Sequence, residues 1–130
     1  MARSRVLVDT SVLIDHLRKL HKDQTIFYRV SLSHDFAISA VTEFEFLVGA
    51  STQNRLSISH LLVRLPVLPF DSGCVQSAVE IRRFLRANNL LIEIPDIFIA
   101  ATALVHDIPL LTLNRNHFAR IPNLRLIDPP

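Results

Sequence analysis

Four of the twelve acidic residues lie in apolar stretches of the sequence: Asp9, Glu43, Glu45 and Asp96. A lone charge is costly in such surroundings, so each of these acids needs a partner or a chemical task. Carboxylates brought together repel one another, and a bound divalent cation removes that cost. Mg²⁺ and Mn²⁺ prefer oxygen ligands, and a cation held by carboxylates can activate water for phosphodiester hydrolysis. These residues therefore predict a metal-dependent hydrolase, provided that the fold brings them together.

Each acid also has an ordinary structural interpretation. Asp9 could cap the helix that follows it, and Asp96 could interact with the positive end of a helix dipole. Glu43 and Glu45 are two residues apart, so on a helix they point about 200° away from each other and only one can face an inward site. Both glutamates could instead be solvated. Helical spacing alone leaves these alternatives open.

The acids lie on a chain that alternates short apolar runs with stretches of helical period. Strand-like runs occur at 5–8, 36–39, 67–68, 110–112 and 124–127, and helical stretches at about 10–19, 24–33, 39–50, 55–64, 71–89 and 96–106. Strands separated by helices predict βαβ units and a parallel sheet that is covered on both faces. Functional residues gather beyond the carboxyl ends of such strands, where Asp9 and Asn114 lie. We expect an α/β fold and a single domain over residues 1–130.

Two helices have a clear apolar face in the sequence. On the first, capped by Thr10 or Ser11, the side chains expected to face the core are Val12, Leu13, Leu17 and Leu20. On the helix that carries Glu45, the side chains expected to face the core are Phe44, Leu47 and Val48. Capping by Thr10 or Ser11 would leave Asp9 available for another role.

The overall composition narrows the class of protein. The chain is 49% hydrophobic with a net charge of +2, no apolar run reaches the length of a membrane span, and Cys74 is its only cysteine. These features favour a globular protein in the cytoplasm. Twelve of its fourteen basic residues are arginines, which suit phosphate; a genome-wide bias towards arginine is the alternative explanation. No glycine-rich phosphate-binding loop is present.

Four segments in order resemble the PIN-domain family, and within it the VapC-type toxin ribonucleases of toxin–antitoxin pairs. They are residues 8–15, 39–49, 96–104 and 110–118. The second resembles the family pattern Thr-x-x-Glu-Leu-x-x-Gly, which assigns the catalytic position to Glu45 and not to Glu43. The resemblance extends over almost the whole chain.

The resemblance implies a PIN-like α/β/α sandwich around a central parallel sheet of about four to five strands. It also implies an endoribonuclease that depends on Mg²⁺ or Mn²⁺. In this family pattern Asp9, Glu45 and Asp96 are the catalytic residues, which bind the metal or position the attacking water. The polar residues implied to support them are Thr10, Ser11, Thr112, Asn114 and His117.

Two positions near the end of the last segment have more than one interpretation. Members of the family often carry a fourth acid where this chain has His117. The resemblance therefore implies a less negative site with a weaker second metal. His117 could donate to a phosphate or could be a surface or packing residue. Arg115 could likewise bind the substrate phosphate or simply be solvated.

The resemblance also implies partners. Such toxins form homodimers, act on RNA, and are inhibited by a small antitoxin whose helix lies in an apolar groove; DNA is bound only through the antitoxin, and no membrane is involved. Groove residues suggested by the sequence are Phe27, Tyr28, Phe44, Phe46 and Ile58, although ordinary core positions are the alternative, favoured for Phe44. Two other functions remain open: a PIN nuclease of RNA maturation or decay without a toxin role, and a catalytically silent binding module.

Overall fold

The central sheet of the protein has four parallel strands. In the computed structural model, which describes residues 3–128, these strands are β1 (Arg5–Val8), β2 (Asp35–Ser39), β3 (Val67–Leu68) and β4 (Leu110–Leu111). They lie in the order β3-β2-β1-β4. The predicted α/β fold with a central parallel sheet is confirmed, at four strands. The run at 124–127, predicted as a further strand, forms one bridge, between Leu110 and Leu126.

Helices connect the strands and cover the sheet. They are α1 (Thr10–Arg18), α2 (Ile26–Ser31), α3 (Ala40–Val48), α4 (Arg55–Leu62), α5 (Ser72–Ala87), α6 (Ile94–Val105) and the short α7 (Arg115–Phe118). A 3-10 turn at Lys22–Gln24 precedes α2. The predicted helix over 24–33 is shorter in the structure because the Thr25 hydroxyl accepts a hydrogen bond from Tyr28 N, which makes Thr25 the N-cap.

The side chains of β1 alternate between two separate cores. Leu7 packs with residues of α5 and α6, including Leu85 and Ile99. Val6 and Val8 pack on the other face with residues of α1 and α4. This alternation is the period of a strand that is buried on both sides. The sheet is therefore sandwiched between the α5–α6 layer and the α1–α2–α4 layer.

Four predicted core positions are wrong. Leu20 is 89% exposed because α1 ends at Arg18, before this residue. Phe44, Leu47 and Val48 are 50–67% exposed, whereas Phe46 is buried. The helix starts at Ala40, so Thr42 and Phe46, one turn apart, face the interior.

The starts of α5 and α6 lie within two residues of the starts predicted from the sequence. Asp71 Oδ1 accepts a hydrogen bond from Cys74 N and caps α5, which begins within one residue of the predicted helical stretch. Pro95 lies in the first turn of α6, where its missing N–H costs nothing. Among residues 3–128, no helix is both long enough and apolar enough to cross a membrane.

Candidate active site

Asp9 lies where β1 ends, and only 2% of it is exposed. It occupies the N-cap position of α1, but its side chain makes no capping hydrogen bond. Its Oδ2 atom accepts hydrogen bonds from Ser11 Oγ at 2.8 Å and from Thr112 Oγ1 at 2.7 Å. The prediction that Thr10 or Ser11 caps α1 is wrong, since Thr10 is already the first helical residue. The Asp9 carboxylate is nonetheless available for another role.

The two hydroxyls that hold Asp9 also fix the loop after β4. Ser11 Oγ accepts a hydrogen bond from Leu113 N at 3.1 Å, and Thr112 Oγ1 accepts one from Asn114 N at 2.9 Å. Each hydroxyl therefore donates to the carboxylate and accepts from the loop backbone. This double use fixes the orientation of both hydroxyls and joins the carboxyl ends of β1 and β4.

Glu45 reaches the site from α3 through a chain of hydroxyls. Thr10 Oγ1 donates to Glu45 Oε1 at 2.8 Å and lies 3.1 Å from Thr42 Oγ1, which is 3.1 Å from Ser39 Oγ. Because each hydroxyl carries one proton, the chain is consistent when all three donate towards the carboxylate. This arrangement holds the Glu45 carboxylate in one orientation. Among residues 3–128, no side chain donates such a hydrogen bond to Glu43, so the geometry favours Glu45 of the two.

Asp96 opens α6, and its side chain is 20% exposed. Burial raises the pKa of Asp96 above its ordinary value, and the negative charges of Asp9 and Glu45 raise it further. His117 acts in the opposite direction, with Nδ1 3.6 Å from Asp96 Oδ2. The negative charges of Asp9 and Glu45 thus act on Asp96 in the direction that disfavours its ionised form, and the net effect remains a raised pKa in spite of His117.

The donor atoms of this region suit a hard cation. Across residues 3–128, no group of three or more His, Cys, Asp or Glu side chains is close enough to enclose a metal ion. Mg²⁺ does not require such a cage, because it keeps several waters and uses one or two carboxylates. Both Asp9 hydrogen bonds fall on Oδ2, which leaves Oδ1 for another ligand. Asp9 has an oxygen atom available for a divalent cation. Asp96 has a raised pKa, so a nearby positive charge would stabilise its carboxylate form.

Two further predicted site residues, Asn114 and Arg115, have contacts with the backbone or with the C-terminal segment. Asn114 contributes its backbone N–H to Thr112, and its side chain is exposed without capping α7. Arg115 donates to Ile127 O at 2.8 Å and to Asp128 Oδ1 at 2.9 Å. These contacts favour a role of Arg115 in holding the C-terminal segment. Binding of substrate by Arg115 stays a prediction.

Sequence reasoning missed the buried hydroxyls that position Glu45. Thr42 is fully buried, and Ser39 Oγ accepts a hydrogen bond from Thr42 N as the N-cap of α3. The available signal was the spacing of Thr42 and Glu45, since residues three apart on a helix share a face.

Comparison with known sequences agrees with this geometry. The model of the PIN domain matches residues 6–124. Ribonuclease VapC1 of Methanocaldococcus jannaschii is 32% identical over 124 residues, which cover 95% of this chain and 85% of that protein. Ribonuclease VapC10 of Mycobacterium tuberculosis is 34% identical over 125 residues, covering 96% and 92% of the two chains.

Solved structures show the same architecture. The DNA-bound VapBC of Salmonella typhimurium has a TM-score of 0.85 at 26% identity and covers 98% of both chains. VapBC2 of Rickettsia felis, bound to a DNA fragment from its promoter, has a TM-score of 0.84 at 26% identity, covering 95% of this chain and 97% of that one. The fold is thus that of an α/β/α domain. The chain belongs to the PIN-domain family.

Proposed function

We propose that this protein is a metal-dependent endoribonuclease and the toxin component of a toxin–antitoxin pair. The observation that carries the proposal is the Asp9 carboxylate, which is buried at the carboxyl end of β1, is held by the hydroxyls of Ser11 and Thr112, and acts together with Glu45 on the pKa of Asp96. The relatives named as ribonucleases and the structures of VapBC complexes support it. The nuclease domain would comprise residues 1–130.

The cation in this proposal is Mg²⁺ or Mn²⁺, held by Asp9 and Asp96, with Glu45 as a third ligand or as the residue that positions the attacking water. When bound, such a cation lowers the pKa of water and neutralises charge that develops on the phosphate. Ser11 and Thr112 hold Asp9 in one orientation, and Thr10 holds Glu45. Hydrogen bonds of this kind to metal ligands are worth 10- to 100-fold in metal affinity or activity in other proteins.

The hydrogen bonds and charges around the acids support this division of roles. Thr10 donates a hydrogen bond to Glu45 Oε1, which leaves Oε2 as an acceptor for a water molecule. Burial and the charges of Asp9 and Glu45 raise the pKa of Asp96. A bound cation would stabilise its carboxylate form and relieve the repulsion from Asp9.

The proposed protein partner is a small antitoxin that covers exposed apolar side chains near the site. Phe44, Leu47 and Val48 follow the i, i+3, i+4 spacing and form one exposed stripe on α3, directly beside Glu45. Helix-in-groove recognition uses such stripes. We propose in addition that the protein acts as a homodimer in the cytoplasm, and that contact with DNA is made by the antitoxin, as in VapBC complexes bound to DNA.

Cleavage of labelled structured RNA tests the proposal. The purified protein, free of any antitoxin, is compared in EDTA, Mg²⁺ and Mn²⁺ with the Asp96→Asn variant. We expect metal-dependent cuts that the variant loses. Absence of cutting by folded protein on several RNAs would contradict the nuclease and favour a binding role.

A further inference from the structure

His117 places a ring nitrogen beside one of the candidate metal ligands. Its Nδ1 atom lies 3.6 Å from Asp96 Oδ2. This distance is longer than an ordinary hydrogen bond. It is closer to the separation of about 3 Å between neighbouring ligands of an octahedral cation with bonds of about 2.1 Å. The two atoms are therefore spaced like two donors to the same ion.

The short helix α7, which carries His117, is anchored on both sides of this residue. Phe118, the next residue, is fully buried in the core that it shares with α5 and α6. On the other side, Arg115 donates to Ile127 O at 2.8 Å and to Asp128 Oδ1 at 2.9 Å. The ring of His117 thus stands on a segment that is already ordered, which reduces the entropy lost when the ring binds a ligand.

Both members of the pair are in contact with solvent. The side chain of His117 is 48% exposed and that of Asp96 is 20% exposed. Water can therefore occupy the coordination positions that two side chains leave open, as it does around Mg²⁺ in proteins. Such an open site agrees with the absence, between residues 3 and 128, of any enclosing group of three ligands. Of the ion pairs in the same part of the chain, only this one includes a histidine.

A nitrogen ligand changes which cation a site prefers. Mg²⁺ takes oxygen ligands, whereas the affinity of a site with nitrogen donors rises along the series from Mn²⁺ through Co²⁺ to Ni²⁺. Carboxylates and water alone suit Mg²⁺ and Mn²⁺ alike. An imidazole beside Asp96 therefore favours a transition-metal cation over Mg²⁺.

We propose that His117 is a metal ligand together with Asp96, and that it gives the candidate active site a preference for Mn²⁺ and the heavier first-row divalent cations over Mg²⁺. Nδ1 is the ligand atom, and Nε2 carries the ring proton. The inference rests on the proposed function, because it takes Asp96 to be a metal ligand. The alternative is that His117 forms only an ion pair with Asp96, in which case its removal leaves the choice of cation unchanged.

Cation binding in the absence of RNA tests the proposal. Untagged protein is stripped with EDTA, dialysed free of the chelator and titrated with Mg²⁺, Mn²⁺ and Ni²⁺ by calorimetry. The variants are His117→Gln, which removes the imidazole, and His117→Glu, which replaces it with carboxylate oxygens. The matched control is His21→Gln, which removes an exposed histidine beyond the end of α1 that is far from Asp9. Melting curves in EDTA verify that all four proteins are folded.

The expected losses follow the order of the cations. We expect His117→Gln to bind Ni²⁺ at least about tenfold more weakly than wild type, since even the loss of groups that only support metal ligands costs about 10- to 100-fold. Mn²⁺ binding should weaken less, and Mg²⁺ binding should stay close to that of wild type. His117→Glu should bind Mg²⁺ more tightly than wild type does, which lowers the ratio of Mn²⁺ to Mg²⁺ affinity. His21→Gln should retain all three affinities.

Electron spin echo spectra of the Mn²⁺ complex give a second readout that does not depend on affinity. We expect a coupling to nitrogen in wild type and in His21→Gln, and its loss in His117→Gln. A wild-type complex without nitrogen coupling would overturn the proposal. So would a wild type that binds neither Mn²⁺ nor Ni²⁺, or an affinity for Ni²⁺ that falls no further in His117→Gln than in His21→Gln.

Failure of the ribonuclease function is distinguishable from failure of this inference, because the titrations contain no RNA. A protein that binds Ni²⁺ through His117 but cuts no RNA with any of the three cations would contradict the nuclease alone. A protein that cuts RNA with Mg²⁺ and Mn²⁺, and whose cation affinities do not depend on His117, would contradict the assigned ligand alone.

Discussion

Thr112 connects the candidate metal ligand Asp9 with the loop after β4. Its Oγ1 atom donates to Asp9 Oδ2 at 2.7 Å and accepts from Asn114 N at 2.9 Å, and the residue is 2% exposed. Thr112→Val preserves the shape of the side chain and removes both hydrogen bonds. Asp9 would retain only the bond from Ser11 on Oδ2. The substitution therefore tests whether Asp9 must be held in one orientation.

The expected cost follows from the kinds of hydrogen bond that are lost. A bond to a charged group contributes about 1.5–3 kcal/mol and a neutral one about 0.5–1.5 kcal/mol. Asn114 is exposed, so water can replace part of its bond, and we expect the free energy of unfolding to fall by about 2–3 kcal/mol. At this chain length the loss corresponds to a melting temperature lower by roughly 7–11 °C. RNA cleavage should fall about 10- to 100-fold, as for other partners of metal ligands.

Thr102→Val is the matched control. Thr102 is also fully buried, but its hydroxyl donates to Phe98 O within α6, at 2.9 Å. Melting curves and cleavage rates are measured for both variants at a temperature where both are folded. We expect Thr102→Val to lose stability but keep its cleavage rate. Wild-type cleavage by Thr112→Val, or an equal loss of rate in both variants, would refute the argument that Thr112 supports Asp9.

Two further predictions concern stability. Because the pKa of Asp96 is raised in the folded protein, its ionisation weakens the fold as pH rises from the unfolded value of 3.8 through the folded one. Asp96→Asn should thus have a higher melting temperature than wild type at pH 7 in EDTA, and the difference should vanish below about pH 3.8. Mg²⁺ should stabilise wild type more than the variant. A variant that melts lower than wild type in EDTA would contradict the repulsion between Asp96 and the other two carboxylates. Phe46→Ala should cost about 3–5 kcal/mol by denaturant unfolding, since Phe46 is buried, whereas Phe44→Ala should change stability by less than about 0.5 kcal/mol. Similar losses in the two phenylalanine variants would contradict the orientation of α3.

The sequence predicted the sheet and its acidic edge because those features depend on local patterns. A buried run such as Val6–Val8 (residues 6–8) specifies a strand of a parallel sheet, and Asp9 then lies at its carboxyl end in any such fold. Pro95 similarly fixes where α6 begins, and so where Asp96 stands. These positions require no knowledge of tertiary contacts.

The orientation of α3 could not be predicted from the sequence because this helix is apolar on more than one side. The apolar residues Phe44, Leu47 and Val48 compete with Phe46 for the interior, and helical period does not decide between them. The N-cap at Ser39 and the buried bond from Thr42 to its hydroxyl set the rotation. Those contacts depend on where β2 ends, which is a property of the sheet.

The hydrogen bonds between distant residues were equally beyond sequence reasoning. Thr112 and Asp9 are 103 residues apart, and Thr10 and Glu45 are 35 apart. Their pairing follows from the adjacency of β1 with both β2 and β4. The types of the residues indicated a polar site, but the donor for each carboxylate required the order of the strands.

We propose Asp9 as a metal-binding residue of a ribonuclease, and Asp9→Asn is the variant that removes this role with the smallest change in shape. Cleavage of one labelled RNA is measured across a Mg²⁺ titration for wild type, Asp9→Asn and the control Asp107→Asn, which changes an exposed acid paired with Arg125. We predict that wild type and the control cut with the same Mg²⁺ dependence and that Asp9→Asn loses at least about a hundredfold in rate, the equivalent of a lost interaction of several kcal/mol. Cleavage by Asp9→Asn at the wild-type rate, or cleavage by wild type that persists in EDTA, would contradict the account.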